Sequence, residues 1–111
     1  MNIIFDTERL EKQCSDLGTL KRLYGERQAR KIRQRLDDLR DAAALSDFRR
    51  LPGRCHELKG GRKGQLALDL VGGDRLVFAP AANPPPEKPD GGLDWTAVTS
   101  VVIIGIEDYH E

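Results

Sequence analysis

The sequence is poor in the residues that mark several large protein classes. Its 111 residues include two cysteines, one methionine and one tryptophan, only 5% are aromatic, and the formal net charge is zero. Cys14 and Cys55 lie far apart with no CxxC motif, a spacing more typical of two reduced thiols than of a disulfide or a metal site. We therefore expect no bound metal and no cofactor.

Long hydrophobic runs are also missing. No stretch approaches about 18 apolar residues, and no basic-then-apolar leader follows Met1. These absences predict a cytoplasmic protein without a membrane partner, and the length predicts one domain over residues 1–111. Residues 80–94 hold five of the six prolines, which predicts a proline- and glycine-rich surface loop over residues 80–95.

The zero net charge conceals an uneven distribution. Residues 1–79 contain 17 Lys or Arg against 12 Asp or Glu, whereas residues 80–111 contain 1 against 6. Between Lys21 and Lys63 the ratio is 14 to 6. A segregated charge can give a neutral protein a basic surface suited to phosphate binding. The alternative is that the basic side chains only solvate helix surfaces.

Helical periodicity follows a short β-branched strand at residues 2–5. Apolar residues recur at three-to-four spacing up to Tyr24, with an interruption at Gly18 that predicts two helices or one broken helix. From Gly25 onward the apolar stripe is continuous and consists of Ala29, Ile32, Leu36, Leu39 and Ala43. This stripe predicts the main helix of the protein.

A period of two replaces the helical period after residue 64. The segments QLALDL and RLVFA place alternate leucines and Phe78 on one face and flank the turn VGGD, which predicts a β-hairpin. In the segment TSVVIIGI both of the alternating faces are apolar, which is typical of an interior strand. The sequence therefore predicts an α+β fold in the order βααβββ, with the helices on one side of a small sheet.

Chemically versatile side chains occur at two places. The loop GRCHELKGGRKG at residues 53–64 places His56 beside three cations, Lys59, Arg62 and Lys63, and the glycines of such a loop can bring backbone amides toward a phosphate. The C-terminus, EDYHE, contains Asp108, Tyr109 and the second histidine, His110. Both histidines follow or precede predicted sheet elements.

Two imidazoles and a set of cations suit the cleavage of RNA without a metal. One group removes the 2′-hydroxyl proton, another protonates the leaving 5′-oxygen, and cations such as Arg75 stabilise the phosphorane. Imidazole suits either role because its ordinary pKa lies near neutrality. Asp108 can orient an imidazole, and Tyr109 can stack on a base or hold a phosphate oxygen. The alternative is a solvated tail, with Arg75 paired to Asp69 or Asp74 across the hairpin.

The run CHELKGGRKGQLALDLVGGDRLVF, followed by a C-terminal EDYH, resembles the HigB-like plasmid-maintenance killer proteins of the RelE/ParE toxin superfamily. The resemblance extends over nearly the whole chain and includes the FDTERLEK opening and the YGERQARKIRQRLDDLRDA helix. It implies a small RelE-like domain with a mainly antiparallel twisted sheet. The proline-rich loop is long compared with compact members, and the sequence suggests no role for Trp95.

The resemblance also implies a function. Such proteins are toxins of type II toxin-antitoxin systems, which enter the ribosomal A site, cleave mRNA there and are held inactive by a HigA-type antitoxin. By position, it implies catalytic roles for His56, Arg75, Asp108, Tyr109 and His110, and RNA-binding roles for Lys59, Arg62 and Lys63. Two alternatives remain open: a ParE-like toxin that binds gyrase, and a diverged member without catalytic activity.

Overall fold

The computed structural model describes residues 1–108, and Tyr109, His110 and Glu111 lie outside the described residues. The described helices are α1 (Glu8–Ser15), α2 (Leu17–Tyr24) and α3 (Glu26–Asp41). The described strands are β1 (Asn2–Phe5), β2 (His56–Glu57), β3 (Leu66–Asp69), β4 (Asp74–Pro80) and β5 (Ser100–Asp108). Short 3-10 turns lie at Leu45–Arg49, Gly60–Arg62 and Trp95–Ala97.

Capping residues divide the first helical region into two helices. Thr7 begins α1, because its hydroxyl oxygen accepts the N–H of Leu10 at 3.1 Å. Asp16 ends α1 and begins α2, since its carboxylate accepts the N–H of Gly18 at 3.1 Å and the hydroxyl of Thr19 at 2.7 Å. The predicted interruption therefore lies at Asp16, and Gly18 belongs to the first turn of α2.

The apolar stripe of α3 faces the core. Its fully buried members are Ala29, Ile32, Leu36 and Leu39. Ala43 was predicted to continue the stripe but is exposed, because Ala42 takes an extended conformation with φ −68° and ψ 142° and ends the helix. The predicted helix is thus confirmed, with an end two residues earlier than the stripe suggested.

The five strands form one mixed sheet in the order β1-β5-β4-β3-β2. β1 pairs with β5 in parallel, and all other pairs are antiparallel. The hairpin is confirmed, with Leu66 opposite Phe78 and Leu68 opposite Leu76. β5 lies between β1 and β4, which confirms the prediction of an interior strand.

The main core lies between the helices and one face of the sheet. The sheet contributes fully buried side chains to it, namely Leu66, Leu68, Leu76, Phe78, Val101 and Ile103. α3 is also tied to the hairpin turn, because the side chain of Gln28 donates to the carbonyl of Val71 and to Asp74 and accepts the N–H of Val71. These hydrogen bonds of Gln28 hold the β3–β4 hairpin in place against α3.

The face of the sheet opposite the helices, called the open face below, carries a smaller apolar group of Leu58, Ala67, Val77 and Ile104. A β-bulge in β5 determines which of the following residues of that strand lie on the open face. Val77 pairs with Gly105 but Phe78 pairs with Ile103, so that Ile104 is an extra residue in the strand. The bulge reverses the alternation and places Glu107, opposite Arg75, on the open face.

The α+β class, the helices on one face and the mainly antiparallel sheet are confirmed. Residues 1–108 contain one helix and one short strand, β2, more than the predicted order. β2 contains only two residues, too few for a period to be read from the sequence.

The proline-rich segment makes a compact connection between β4 and β5. An isolated bridge joins Glu87 to Leu93, and the N–H of Lys88 donates to the carbonyl of Gly92 at 2.9 Å. Within residues 1–108 no helix has the length and apolar character needed to cross a bilayer.

Candidate active site

The register of four strands brings distant polar residues together on the open face. His56 of β2 lies opposite Ala67 of β3, whose side chain belongs to the apolar group of that face. Arg75 of β4 lies opposite Asp69 on one side and Glu107 on the other. Residues directly opposite each other in neighbouring strands point to the same side of a sheet. The open face therefore carries an imidazole and an arginine flanked by two carboxylates.

A cavity of about 490 Å³ opens beside these residues. Its walls contain four basic side chains, those of Arg54, Lys59, Arg62 and Arg75, together with His56, Glu57 and Leu58. A concave surface lined mainly by one sign of charge concentrates the electric field and attracts ions of the opposite sign. The cavity is thus suited to a phosphate group or another anion.

The hydrogen bond of His56 determines which ring nitrogen is available for proton transfer. Nδ1 lies 2.8 Å from the carbonyl oxygen of Arg54. Because a carbonyl oxygen can only accept, Nδ1 must carry the proton, and in the neutral ring Nε2 is the unprotonated atom. His56 is therefore arranged to take up or deliver a proton through Nε2.

Arg62 is held by a carboxylate of the last strand. Its Nη1 and Nη2 donate to the two carboxylate oxygens of Glu107 at 2.8 and 2.5 Å, and its Nε donates to Gln65 at 2.7 Å. The hydrogen bonds from Arg62 lower the pKa of Glu107 below its ordinary 4.5, and the charges of Arg62 and Arg75 act in the same direction. The pair also raises the pKa of Arg62. Glu107 is therefore ionised at neutral pH and fixes the basic loop to β5.

This pair predicts a specific loss of stability in acid. A carboxyl group whose pKa is lowered by folding stabilises the native state above its unfolded pKa and loses that contribution as the pH falls through its folded pKa. We expect wild type to be more stable than Glu107→Gln at neutral pH, and the difference to vanish as the pH falls below 4.5. Urea unfolding at a series of pH values measures it. A double-mutant cycle with Arg62→Gln is the control, and a coupling that persists in acid would contradict the assignment.

The two lysines of the loop lie in different places. The 3-10 turn Gly60–Arg62 reverses the chain between them, and Lys59 lines the cavity of the open face. Lys63 instead lines a second cavity of about 270 Å³, whose wall includes Pro85 and Leu93 of the proline-rich segment. The structure therefore brings His56, Lys59, Arg62 and Arg75 together, but separates Lys63 from them.

The predicted C-terminal residues are only partly described. Asp108 of β5 lies opposite Asp74 of β4 in the strand register. The carboxylate of Asp74 accepts a hydrogen bond from Gln28 of α3, so both aspartates lie on the helix side of the sheet. Asp108 is not one of the described residues that line the cavity of the open face. The predicted roles of Tyr109 and His110 lie outside the described residues.

Sequence reasoning missed two residues of the site, Arg54 and Glu107. Arg54 lies two positions before His56, and the period of a strand would have suggested a shared face. Glu107 gave no such signal, because its face depends on the bulge at Ile104. The side chain of Arg54 makes a bidentate ion pair with Asp69, with Nε and Nη2 at 2.8 and 3.2 Å from the carboxylate oxygens.

Trp95 has a structural role. Its indole N–H donates to the carboxylate of Glu57 at 3.1 Å, and the guanidinium carbon of Arg49 lies 4.5 Å from the ring centroid. The ring is buried, so it secures the end of the proline-rich segment against β2.

Burial keeps the cysteine beside His56 protonated. Burial raises the pKa of the Cys55 thiol to about 12, with a further contribution from the charge of Glu57. Burial also raises the pKa of Cys14 to about 11. Both thiols are therefore protonated at neutral pH, and a neutral thiol is a much weaker nucleophile than a thiolate.

Two solved structures from Staphylococcus aureus share the fold over the full length of the chain. A YoeB–YefM complex matches with a TM-score of 0.55 and 16% identity, and a YoeB dimer with a TM-score of 0.56 and 17% identity. Each comparison covers 100% of this chain and 98% of the YoeB chain. No protein-family model matches the sequence. No curated protein matches it at a significant level either.

Proposed function

We propose that the protein is the toxin of a type II toxin-antitoxin system and an endoribonuclease that cleaves mRNA on the ribosome. The observation that carries the proposal is the cationic cavity of the open face, in which a histidine presents Nε2 among four basic side chains. The fold supports it, because two YoeB structures, one of them a complex with YefM, share it over the full length of this chain. The motif around His56 and the terminal EDYH favour a HigB-like member.

The cations of the cavity would bind the scissile phosphate. Arg75 lies at the centre of the site between Asp69 and Glu107, and Lys59 forms no ion pair with any of residues 1–108. Lys59 is therefore available to meet phosphate in the cavity. Positive groups fixed around the phosphorane lower the free energy of the transition state more than they lower that of the bound substrate.

Proton transfer completes the reaction. A base takes the 2′-hydroxyl proton, the 2′-oxygen attacks phosphorus, and the bond to the 5′-oxygen breaks as an acid protonates that oxygen. The products are a 2′,3′-cyclic phosphate and a 5′-hydroxyl. His56 would serve in one of the two proton transfers through Nε2, and His110 in the other. Asp108 would orient His110, and Tyr109 would stack on a base next to the cleaved bond.

The partners follow from this activity. The substrate would be mRNA in the A site of a translating ribosome, which places the toxin in the cytoplasm. An uncontrolled nuclease of this kind needs an inhibitor, and we propose a HigA-type antitoxin that covers the open face. The YoeB chain with the same fold is found in a complex with YefM.

The test is to induce the protein in cells without its antitoxin and to map mRNA 5′ ends within minutes. In-frame cleavage within translated codons is expected, together with growth arrest. Arrest with intact mRNA and DNA damage would replace the proposal with the gyrase-binding alternative. Normal growth with intact mRNA would favour the diverged member without catalytic activity.

The separation of the two lysines predicts unequal effects on RNA binding. Lys59→Ala should weaken the binding of a single-stranded RNA and reduce the slope of log K against log salt by about 0.7, the contribution of one phosphate contact. Lys63→Ala, the matched control, should leave the slope nearly unchanged because Lys63 lines the other cavity. Both are measured in a His56→Ala background, which slows cleavage during the measurement. Equal changes in slope would show that the whole loop, rather than the cavity, contacts RNA.

A further inference from the structure

We propose that the ion pair between Arg54 and Asp69 positions His56, by holding the backbone of Arg54 so that its carbonyl fixes the proton on Nδ1. This inference deepens the proposed function and rests on it for its catalytic consequence. The structural part, the link between the ion pair and the protonated nitrogen of His56, can be tested without any activity.

The backbone of Arg54 is in an unusual conformation. Its φ is +49°, and it is the one non-glycine residue with a positive φ among residues 1–108. A residue with a Cβ in this region is strained by about 1–2 kcal/mol, so the surrounding contacts must maintain it. The direction of the Arg54 carbonyl depends on this conformation, and that carbonyl is the partner of His56 Nδ1 at 2.8 Å.

The bidentate ion pair is a contact that supports this conformation. Nε and Nη2 of Arg54 meet the two carboxylate oxygens of Asp69 at 2.8 and 3.2 Å. A bidentate arginine–carboxylate pair fixes the orientation of both groups as well as their separation. It therefore restricts the torsions of Arg54 in a way that a single hydrogen bond would not.

Asp69 is in turn anchored to the core. Its N–H donates to the carbonyl of Gly53 at 2.7 Å, and its carbonyl accepts from Nε of Arg35 at 3.2 Å. Arg35 belongs to α3, is only 6% exposed and also meets Asp38 at 3.3 Å. The chain of contacts thus runs from a buried helical arginine through β3 to the carbonyl that holds the imidazole.

This arrangement assigns Arg54 a different task from that of the other cations in the cavity. Its guanidinium neutralises Asp69 and restrains the backbone, whereas Lys59 makes no ion pair within residues 1–108. The competing interpretation is that Arg54 serves only as one more positive charge for phosphate. The two interpretations differ in what a glycine at position 54 would do.

Glycine takes a positive φ without strain, whereas alanine does not. Arg54→Gly and Arg54→Ala both delete the guanidinium, but only the glycine variant lets the carbonyl keep its direction at little cost. If the role is positioning, Arg54→Gly should retain more of the Nδ1–H form of His56 than Arg54→Ala and should cleave RNA faster. If the role is charge alone, the two variants should behave alike.

The experiment uses the full-length ¹⁵N-labelled protein with His110→Gln, so that His56 gives the only imidazole signals. Long-range ¹H–¹⁵N correlation, recorded where the ring is neutral, identifies the protonated nitrogen. We expect Nδ1–H in the parent protein and in Arg54→Gly, and a mixture of both forms in Asp69→Ala and Arg54→Ala. With His110 restored, cleavage by Asp69→Ala should fall about 10- to 100-fold, as outer-shell partners of functional histidines commonly cause.

An unchanged Nδ1–H form in a folded Asp69→Ala, or identical spectra for the two Arg54 variants, would overturn the inference. A thermal midpoint for each variant shows that it is folded, and Asp69→Asn, which preserves shape, replaces Asp69→Ala if that variant does not fold. If the spectra are as expected but wild type cleaves no RNA, the proposed function fails while the positioning of His56 stands. If wild type cleaves RNA and the spectra do not change, the positioning fails alone.

Discussion

Replacing His56 with alanine is expected to lower the rate of mRNA cleavage by about 10²- to 10⁴-fold, the usual effect of losing a general acid or base. That range corresponds to about 3–5 kcal/mol of transition-state stabilisation. The fold should survive, because β2 pairs with β3 through the backbone and the imidazole lies at the surface of the cavity rather than in the core. The measurement is cleavage of mRNA on purified translating ribosomes, beside growth arrest in cells.

His110→Ala provides the companion test at the C-terminus. We expect it to fold with an unchanged thermal midpoint, to bind the ribosome still, and no longer to arrest growth. His56→Ala should retain more activity than His110→Ala, since the cations beside it continue to stabilise the charge on phosphate. Full toxicity of both single variants would contradict the acid–base mechanism even if the protein proved to be a toxin.

Replacing Gly53 with alanine should destabilise the protein by about 2–4 kcal/mol, through backbone strain together with overpacking. Gly53 has a φ of +109°, and a Cβ there would lie 2.9 Å from Nε of Arg35 and 3.0 Å from Cδ2 of Leu68. Neither neighbour can move easily. Arg35 is buried and bonded to the carbonyl of Asp69, and Leu68 is fully buried in the core.

Urea unfolding of Gly53→Ala and Gly61→Ala tests this prediction with a matched control. Gly61 has no positive φ, and a Cβ there would meet nothing within 4 Å, so its substitution should change the free energy of unfolding by less than about 0.5 kcal/mol. Equal stability of the two variants would show that the segment before His56 is loosely packed. That result would also weaken the argument that this segment holds the imidazole.

Local sequence patterns were sufficient to predict most of the helices and strands. The spacing of Leu66 and Leu68 against Leu76 and Phe78 specified the hairpin, and the stripe of α3 specified the main helix. These elements depend on residues that are close in the sequence, within one or two helical turns or across one tight turn. A local sequence pattern is therefore enough to predict them. The boundary at Asp16 was misplaced at Gly18, because a side-chain cap competes with the intrinsic flexibility of glycine.

The sequence by itself determined the α+β class, the hairpin and the interior last strand, and it indicated the candidate site residues. Only the tertiary structure decided which of those residues meet. The open face joins His56, Arg75 and Glu107 through the pairing of four strands, and the extra residue Ile104 reverses the side on which Glu107 lies. The same geometry places Arg54 in the wall of the cavity and Lys63 in the wall of a different cavity. Strand register and bulges arise from packing between residues distant in the chain, so no local period reveals them.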